Sequence, residues 1–138
     1  MNLEEVYAFM NGEKLGVLAT VTPEGQPEAA LMGLAVTPRL EIVFDTVKSS
    51  RKYRNLKNNR RVAWVIGCTT EGTVQYEGEA EELQGEELAS YKKIYFAKFT
   101  DGPARESWPG ITYFVTRPMW VRYCDYNPET RRIEEKSF

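Results

Sequence analysis

Apolar residues recur along this chain in two periods, and the switches between them mark its elements. Leu3, Val6 and Met10 follow helical spacing, with Glu4 and Glu5 where the helix dipole favours them, Asn2 as N-cap and Asn11-Gly12 as the stop. Leu15 to Val21 is a short apolar run of strand type, closed by the turn Thr22-Pro23-Glu24-Gly25. Glu28 to Val36 predicts a second strand, apolar on both faces and therefore expected in the middle of a sheet. After the break at Thr37-Pro38, Leu40 to Thr46 predicts a third, so that 15–46 reads as an antiparallel meander. Ser49-Ser50 can cap a helix from Arg51 to Asn58, and Val62 to Gly67 follows as a fourth strand.

The second half repeats this logic. From Thr73 to Leu83 the pattern alternates, with Val74, Tyr76, Gly78 and Ala80 on one face and Gln75, Glu77, Glu79 and Glu81 on the other, as in a half-exposed strand. Gly85 to Phe99 reads as a helix whose Leu88, Tyr91 and Tyr95 face a core or an interface. A loop over 100–110 leads to a long strand, Ile111 to Tyr123, in which Pro118 implies an edge or a bulge. Asn127 to Thr130 is a turn, and Arg131 to Phe138 adds a short last strand. Six or seven strands joined mostly by turns, with three helices, predict an antiparallel barrel or sandwich of the α+β class, one domain over 1–138. Neither G-x-G-x-x-G nor a Walker pattern occurs, which argues against a Rossmann fold or a P-loop.

Composition narrows the chemistry. The chain contains no histidine, which removes imidazole general bases, Ser-His-Asp and Cys-His nucleophile systems, and histidine-ligated zinc or haem. Cys68 and Cys124 are far apart in the chain and read as buried free thiols, and no metal site is expected. Any redox chemistry therefore falls to a cofactor. No apolar run approaches the roughly 20 residues of a membrane span. The opening MNLEEVYAFMNGEK is acidic and amphipathic, unlike a secretory leader, so a cytoplasmic location is expected.

Charge is the uneven feature. The chain carries a net −2, yet Lys48 to Arg61 holds seven Lys/Arg and no Asp or Glu, a +7 window that leaves −9 elsewhere. At its start three devices for holding a phosphate overlap. These are the N–H groups and dipole of a helix start, the hydroxyls of Thr46, Ser49 and Ser50, and the cations Lys48, Arg51 and Lys52. Such compactness suits one phosphate group. Nucleic acid normally wants a wider positive footprint than this acidic chain offers, so no nucleic-acid partner is expected. Arg54, Lys57, Arg60 and Arg61 read instead as a solvated face pairing with glutamates of a neighbouring strand.

The run from EIVFDT through KSSRKYRNLKNN to RVAWVIG resembles the pyridoxamine 5'-phosphate oxidase-like family of FMN-binding split barrels. LGVLATVTPEGQPEAALMGLAV before it looks like that family's first hairpin, and TVQYEGEAEEL with the following helix is similar to its next strand and helix. The resemblance covers residues 1 to about 123. It implies a six-stranded antiparallel split β-barrel with short flanking helices, and a homodimer with FMN in grooves at the subunit interface. Carried over by position, Thr46, Ser50, Arg51 and Lys52 would hold the FMN phosphate, with Lys48 and Ser49 beside them. Ala29, Ala30, Leu31 and Met32 would run along the isoalloxazine ring, where small side chains at Ala29, Ala30 and Gly33 suit close approach. Trp120, and after it Trp108 and Tyr113, are the aromatics expected over the open ring face. The implied function is FMN-dependent oxidation or reduction of a small molecule. The alternatives are flavin binding or storage without turnover, or a deazaflavin reductase of the same fold whose longer acidic tail would meet Arg54 and Lys57. Two departures matter. Without histidine, and with the tail YCDYNPETRRIEEKSF, oxidation of vitamin B6 phosphates is not expected, and Val47 supplies no donor where one would have been useful.

Overall fold

The computed structural model describes residues 1–69 and 71–138. Helix α1 (Leu3–Gly12) starts where expected, the Asn2 side chain accepting the Glu5 N–H at 3.2 Å, and buries Val6 and Met10. It is followed by β1 (Leu15–Val21), β2 (Pro27–Gly33), β3 (Ala35–Val36), β4 (Ile42–Val47), α2 (Arg51–Asn58), β5 (Arg61–Thr69), β6 (Gly72–Glu82) and α3 (Gly85–Lys98). A 3-10 turn at Gly102–Ser107 occupies the expected loop, and β7 (Ile111–Asp125) and β8 (Arg132–Ser137) complete the chain. Among the described residues no helix is long and apolar enough to cross a membrane.

The strands form one antiparallel sheet in the order β2-β1-β5-β6-β7-β4-β3, with β8 also on β7. Because β2 and β3 follow each other directly but lie at opposite ends of that order, the chain at Leu34 carries one end of the sheet to the other. This crossing curls the sheet into a half-barrel. The six long strands of the expected split barrel are β1, β2 and β4 to β7, with β3 and β8 as additions. Along β7, β6 lines one edge, while β4 (partners of 111–116) and β8 (partners of 120–125) share the other. The register against β6 jumps from Glu77↔Trp120 to Gly78↔Pro118, so Pro118 marks a bulge, in the gap where neither β4 nor β8 pairs with β7. Gly78 is required there, since a Cβ would lie 2.3 Å from the Arg117 carbonyl oxygen.

Two apolar clusters hold the curl. Inside the barrel, Phe44 stacks on Phe114 with centroids 5.4 Å apart and meets Trp64 edge-on at 5.5 Å. Trp64 is fully buried, its indole N–H donating to Thr116 Oγ1 at 3.3 Å, as a buried indole requires. The second cluster lies under α3, where Tyr91, Tyr95 and Phe99 cover Val43, Tyr113 and Val115.

Three expectations are corrected. The strand expected over 28–36 breaks at Leu34 and its first part, β2, is a sheet edge and not a central strand. Its doubly apolar pattern has another cause, because the outward face is bare and Leu31 is 65% exposed. The meander over 15–46 is only a β1–β2 hairpin; β4 pairs with β7 and β3, since the crossing at Leu34 takes the chain away from β2. Of the two free cysteines, Cys124 is buried but Cys68 is exposed, lying near the end of β5 where side chains leave the core.

Candidate functional site

Where β4 ends, Thr46 and Ser50 span the turn into α2 with their hydroxyls 3.0 Å apart. Ser50 is the N-cap, its Oγ accepting the Tyr53 N–H at 3.2 Å. These two hydroxyls are committed to fixing the helix start, which aims the first turn of α2 across the barrel wall at β1 and β2. There a cavity of about 110 Å³ is lined by Leu18, Thr20, Glu28, Ala29, Ala30, Arg51 and Lys52. Four of the residues expected to bind a cofactor thus meet at one place, two cations from the helix and two alanines from the strand. Burial, then the adjacent Arg51, push the Lys52 ammonium below its ordinary pKa. An anion in the cavity would reverse that shift by favouring the charged form.

The remaining expected residues lie elsewhere. Lys48 is exposed and borders a separate cavity of about 440 Å³ on the α3 side, with Lys92, Glu106, Thr112 and Tyr113. The turn between β4 and α2 causes this split, since the Lys48 N–H is held on the Gly110 carbonyl at 2.9 Å. Ser49 is exposed and does not line the Arg51 cavity. Met32 packs on the barrel core, and Leu31 points outward. Tyr113 is buried beneath α3 and Trp108 is exposed beyond the 3-10 turn, so neither borders the Arg51 cavity within one chain. Trp120 stands on the outer face of β7 under the Arg122 guanidinium, 5.5 Å from the ring centroid. The register Ala29↔Ala19↔Ala63↔Glu77↔Trp120 puts it four strands from Ala29, roughly 19 Å along the sheet.

Sequence reasoning missed two residues here. Glu28 Oε2 lies 2.9 Å from Arg51 Nη1, and its Oε1 accepts from Asn55 Nδ2 at 2.8 Å. Asn55, one turn beyond Arg51 and fully buried, also donates to Thr20 Oγ1 at 3.0 Å, while its Oδ1 has no partner among the described residues. The available signal was Asn55 itself, an amide next to Leu56 on the inward side of an otherwise basic helix. The end of that helix and the link to β5 behave as a solvated face. Lys57 pairs with Glu82 at 3.3 Å, and Arg60 with Glu81 at 3.1 Å and Glu79 at 3.7 Å. Burial would raise the Glu82 carboxyl, but hydrogen bonds from Thr112, Tyr53 and Lys57 outweigh it and hold it low.

Compared with known proteins, residues 3–125 match the family described as pyridoxamine 5'-phosphate oxidase. No curated protein matches the chain. Solved structures share the fold. A heme binding protein from Mycobacterium smegmatis is 21% identical with a TM-score of 0.84, covering 98% of this chain, which spans 57% of that one. A conserved hypothetical protein from Mycobacterium tuberculosis is 26% identical with a TM-score of 0.77, over 92% of this chain and 86% of that one. A pyridoxamine 5'-phosphate oxidase-related, FMN binding protein from Nostoc punctiforme is 12% identical with a TM-score of 0.63, over 99% of this chain and 92% of that one.

Proposed function

The chain belongs to the pyridoxamine 5'-phosphate oxidase family, and on that footing we propose that it is a flavoprotein that grips FMN by its phosphate and oxidises or reduces a small molecule. The observation that carries this reading is the single cavity walled by Arg51 and Lys52 on one side and Ala29 and Ala30 on the other. Its size suits a phosphate and falls short of the roughly 300 Å³ or more that a whole cofactor needs. Arg51 offers a planar fork and Lys52 a half-buried ammonium. Ala29 and Ala30 keep the strand free of bulk where a flat ring would pass. When bound, FMN would supply hydride transfer at its N5, which asks for no histidine from the protein. The Mycobacterium smegmatis relative binds heme, but with no histidine in this chain a heme iron would need another ligand.

The rest of the cofactor site would come from a second copy. The outer face of β2, β1 and β5 is apolar, with Leu15, Leu31 and Val65 exposed around Val17, Ala19 and Ala63. A face of this kind on a sheet edge favours burial by a self-complementary two-fold contact. Trp120, too far from Ala29 within one chain, could reach the cavity only from that partner.

Titrating the purified protein with FMN is the direct test. A shifted flavin spectrum and a rise in melting temperature are expected, with bleaching by NAD(P)H and recovery in air. Binding without bleaching would reduce the proposal to flavin storage, and no FMN-dependent change at all would end it. For the dimer, Leu31→Asp should convert a two-chain mass in light scattering to one chain and weaken FMN in parallel.

A further inference from the structure

The anion cavity already contains an anion. The Glu28 side chain is only 17% exposed and its carboxylate sits on the cavity wall, one oxygen on Arg51 at 2.9 Å and the other on Asn55 at 2.8 Å. Arg51 itself is 70% exposed, so its fork is free to turn, whereas Asn55 is fully buried and fixed by Thr20. The fork that should receive a phosphate is therefore engaged by a carboxylate of this same chain. Local charge follows: Arg51 and Lys52 bring two positive charges to the wall and Glu28 cancels one. A phosphate monoester, close to a dianion at neutral pH, meets only half the positive charge that the sequence suggests.

We infer that Glu28 is a specificity determinant: a resident counter-anion that an incoming phosphate must displace from Arg51, and that sets how strongly phosphorylated ligands are held relative to unphosphorylated ones. This rests on the phosphate-binding reading but makes a separate demand, because it concerns any phosphate at Arg51, with or without a flavin attached. Displacement is local. Glu28 keeps its bond to Asn55 while Arg51 swings toward the ligand, and the unpaired Asn55 Oδ1 marks this polar cluster as short of one donor.

Glu28→Gln tests it, because it removes the charge and keeps the shape. The amide oxygen can still accept from Asn55. Inorganic phosphate, FMN and riboflavin are titrated against both proteins at pH 7.5, by calorimetry for phosphate and by flavin fluorescence for the other two. In the variant, phosphate and FMN should bind about three- to fivefold tighter, since the ion pair with the exposed Arg51 no longer has to be given up. Riboflavin affinity should stay within about twofold, because it has no phosphate. Equal phosphate affinity in both proteins, or weaker binding in Glu28→Gln, overturns the inference even if FMN binds. Tighter phosphate with no flavin binding in either protein upholds it and removes the FMN reading instead. Failure of both proteins to bind any of the three overturns both. Should Glu28→Gln not fold, the wild type still decides: phosphate must move the Arg51 Nε–H resonance in a titration followed by NMR, and an unmoved signal at saturation overturns the inference.

Discussion

Two glutamates, Glu28 and Glu41, both pair with an arginine and both lie largely out of solvent, yet they do different work. Glu41 is 6% exposed at the side chain and accepts from Tyr91 at 2.7 Å, Arg39 at 3.0 Å and Thr37 at 3.1 Å. Burial would push its carboxyl up, but the bonds from Tyr91, Arg39 and Thr37 outweigh burial and hold it below the ordinary range. The side-chain donors of Tyr91, Arg39 and Thr37 all end on the carboxylate, and the cluster ties the turn before β4 to α3. At Glu28 the arginine is largely exposed, as Arg39 is at Glu41, but the cluster opens on a cavity and a neighbouring buried amide oxygen lacks a donor among the described residues. A fully satisfied buried network resists change and fixes a fold, whereas a partly satisfied one beside a cavity has room for a ligand.

The contrast breaks most sharply at the cations. Arg51→Ala with Lys52→Ala should weaken FMN by about 1.5–3 kcal/mol for each charged hydrogen bond removed, and leave riboflavin nearly unchanged. Equal losses for both ligands would show that these cations do not hold a phosphate. Next comes Glu41→Ala, expected to cost about 1–3 kcal/mol in urea denaturation, because the buried Tyr91 hydroxyl loses its acceptor. FMN affinity in that variant should not change.

The Glu41 effect carries a pH signature. Its folded-state pKa is depressed, so its contribution is present above the unfolded value of about 4.3 and is lost as pH falls through the folded pKa. The stability gap between wild type and Glu41→Ala should be constant near neutrality and narrow on acidification below about pH 4. A gap unchanged into acid would mean the network acts by packing alone. The smallest effect is expected just beyond the end of α2. Arg60→Ala removes exposed pairs with Glu79 and Glu81 and should cost about 1 kcal/mol or less, with no change in phosphate binding. A clear loss of FMN there would extend the site along the helix and favour a ligand with a longer acidic tail.

Much of the fold was legible because local patterning carries it. The Asn2 and Ser50 caps and the alternation along β6 follow from short-range chemistry, and each is found where the pattern puts it. The β2 error is equally instructive. An apolar outer face looks the same in sequence whether another strand layer or another molecule covers it, so Leu31 and its neighbours could not be told from a central strand. At the site, Arg51, Lys52, Ala29 and Ala30 were legible from the basic window and the family resemblance. Glu28 and Asn55 were not, because the bond between them spans 27 residues and exists only once α2 lies across β1 and β2.

The sequence by itself determined that a strand end, hydroxyls and cations would meet at the start of a basic helix. It also ruled out any chemistry that needs histidine. Hydrogen-bonding capacity and charge at that junction are local, so a linear reading reaches them. Only the tertiary structure decided which way each charge faces. The turn after β4 sends Lys48 to one cavity and Arg51 to another, and the β1–β2 hairpin brings Glu28 to Arg51. What reads along the chain as an excess of positive charge is, at Arg51, already half neutralised, because electrostatics depends on distance through space and not on distance along the chain.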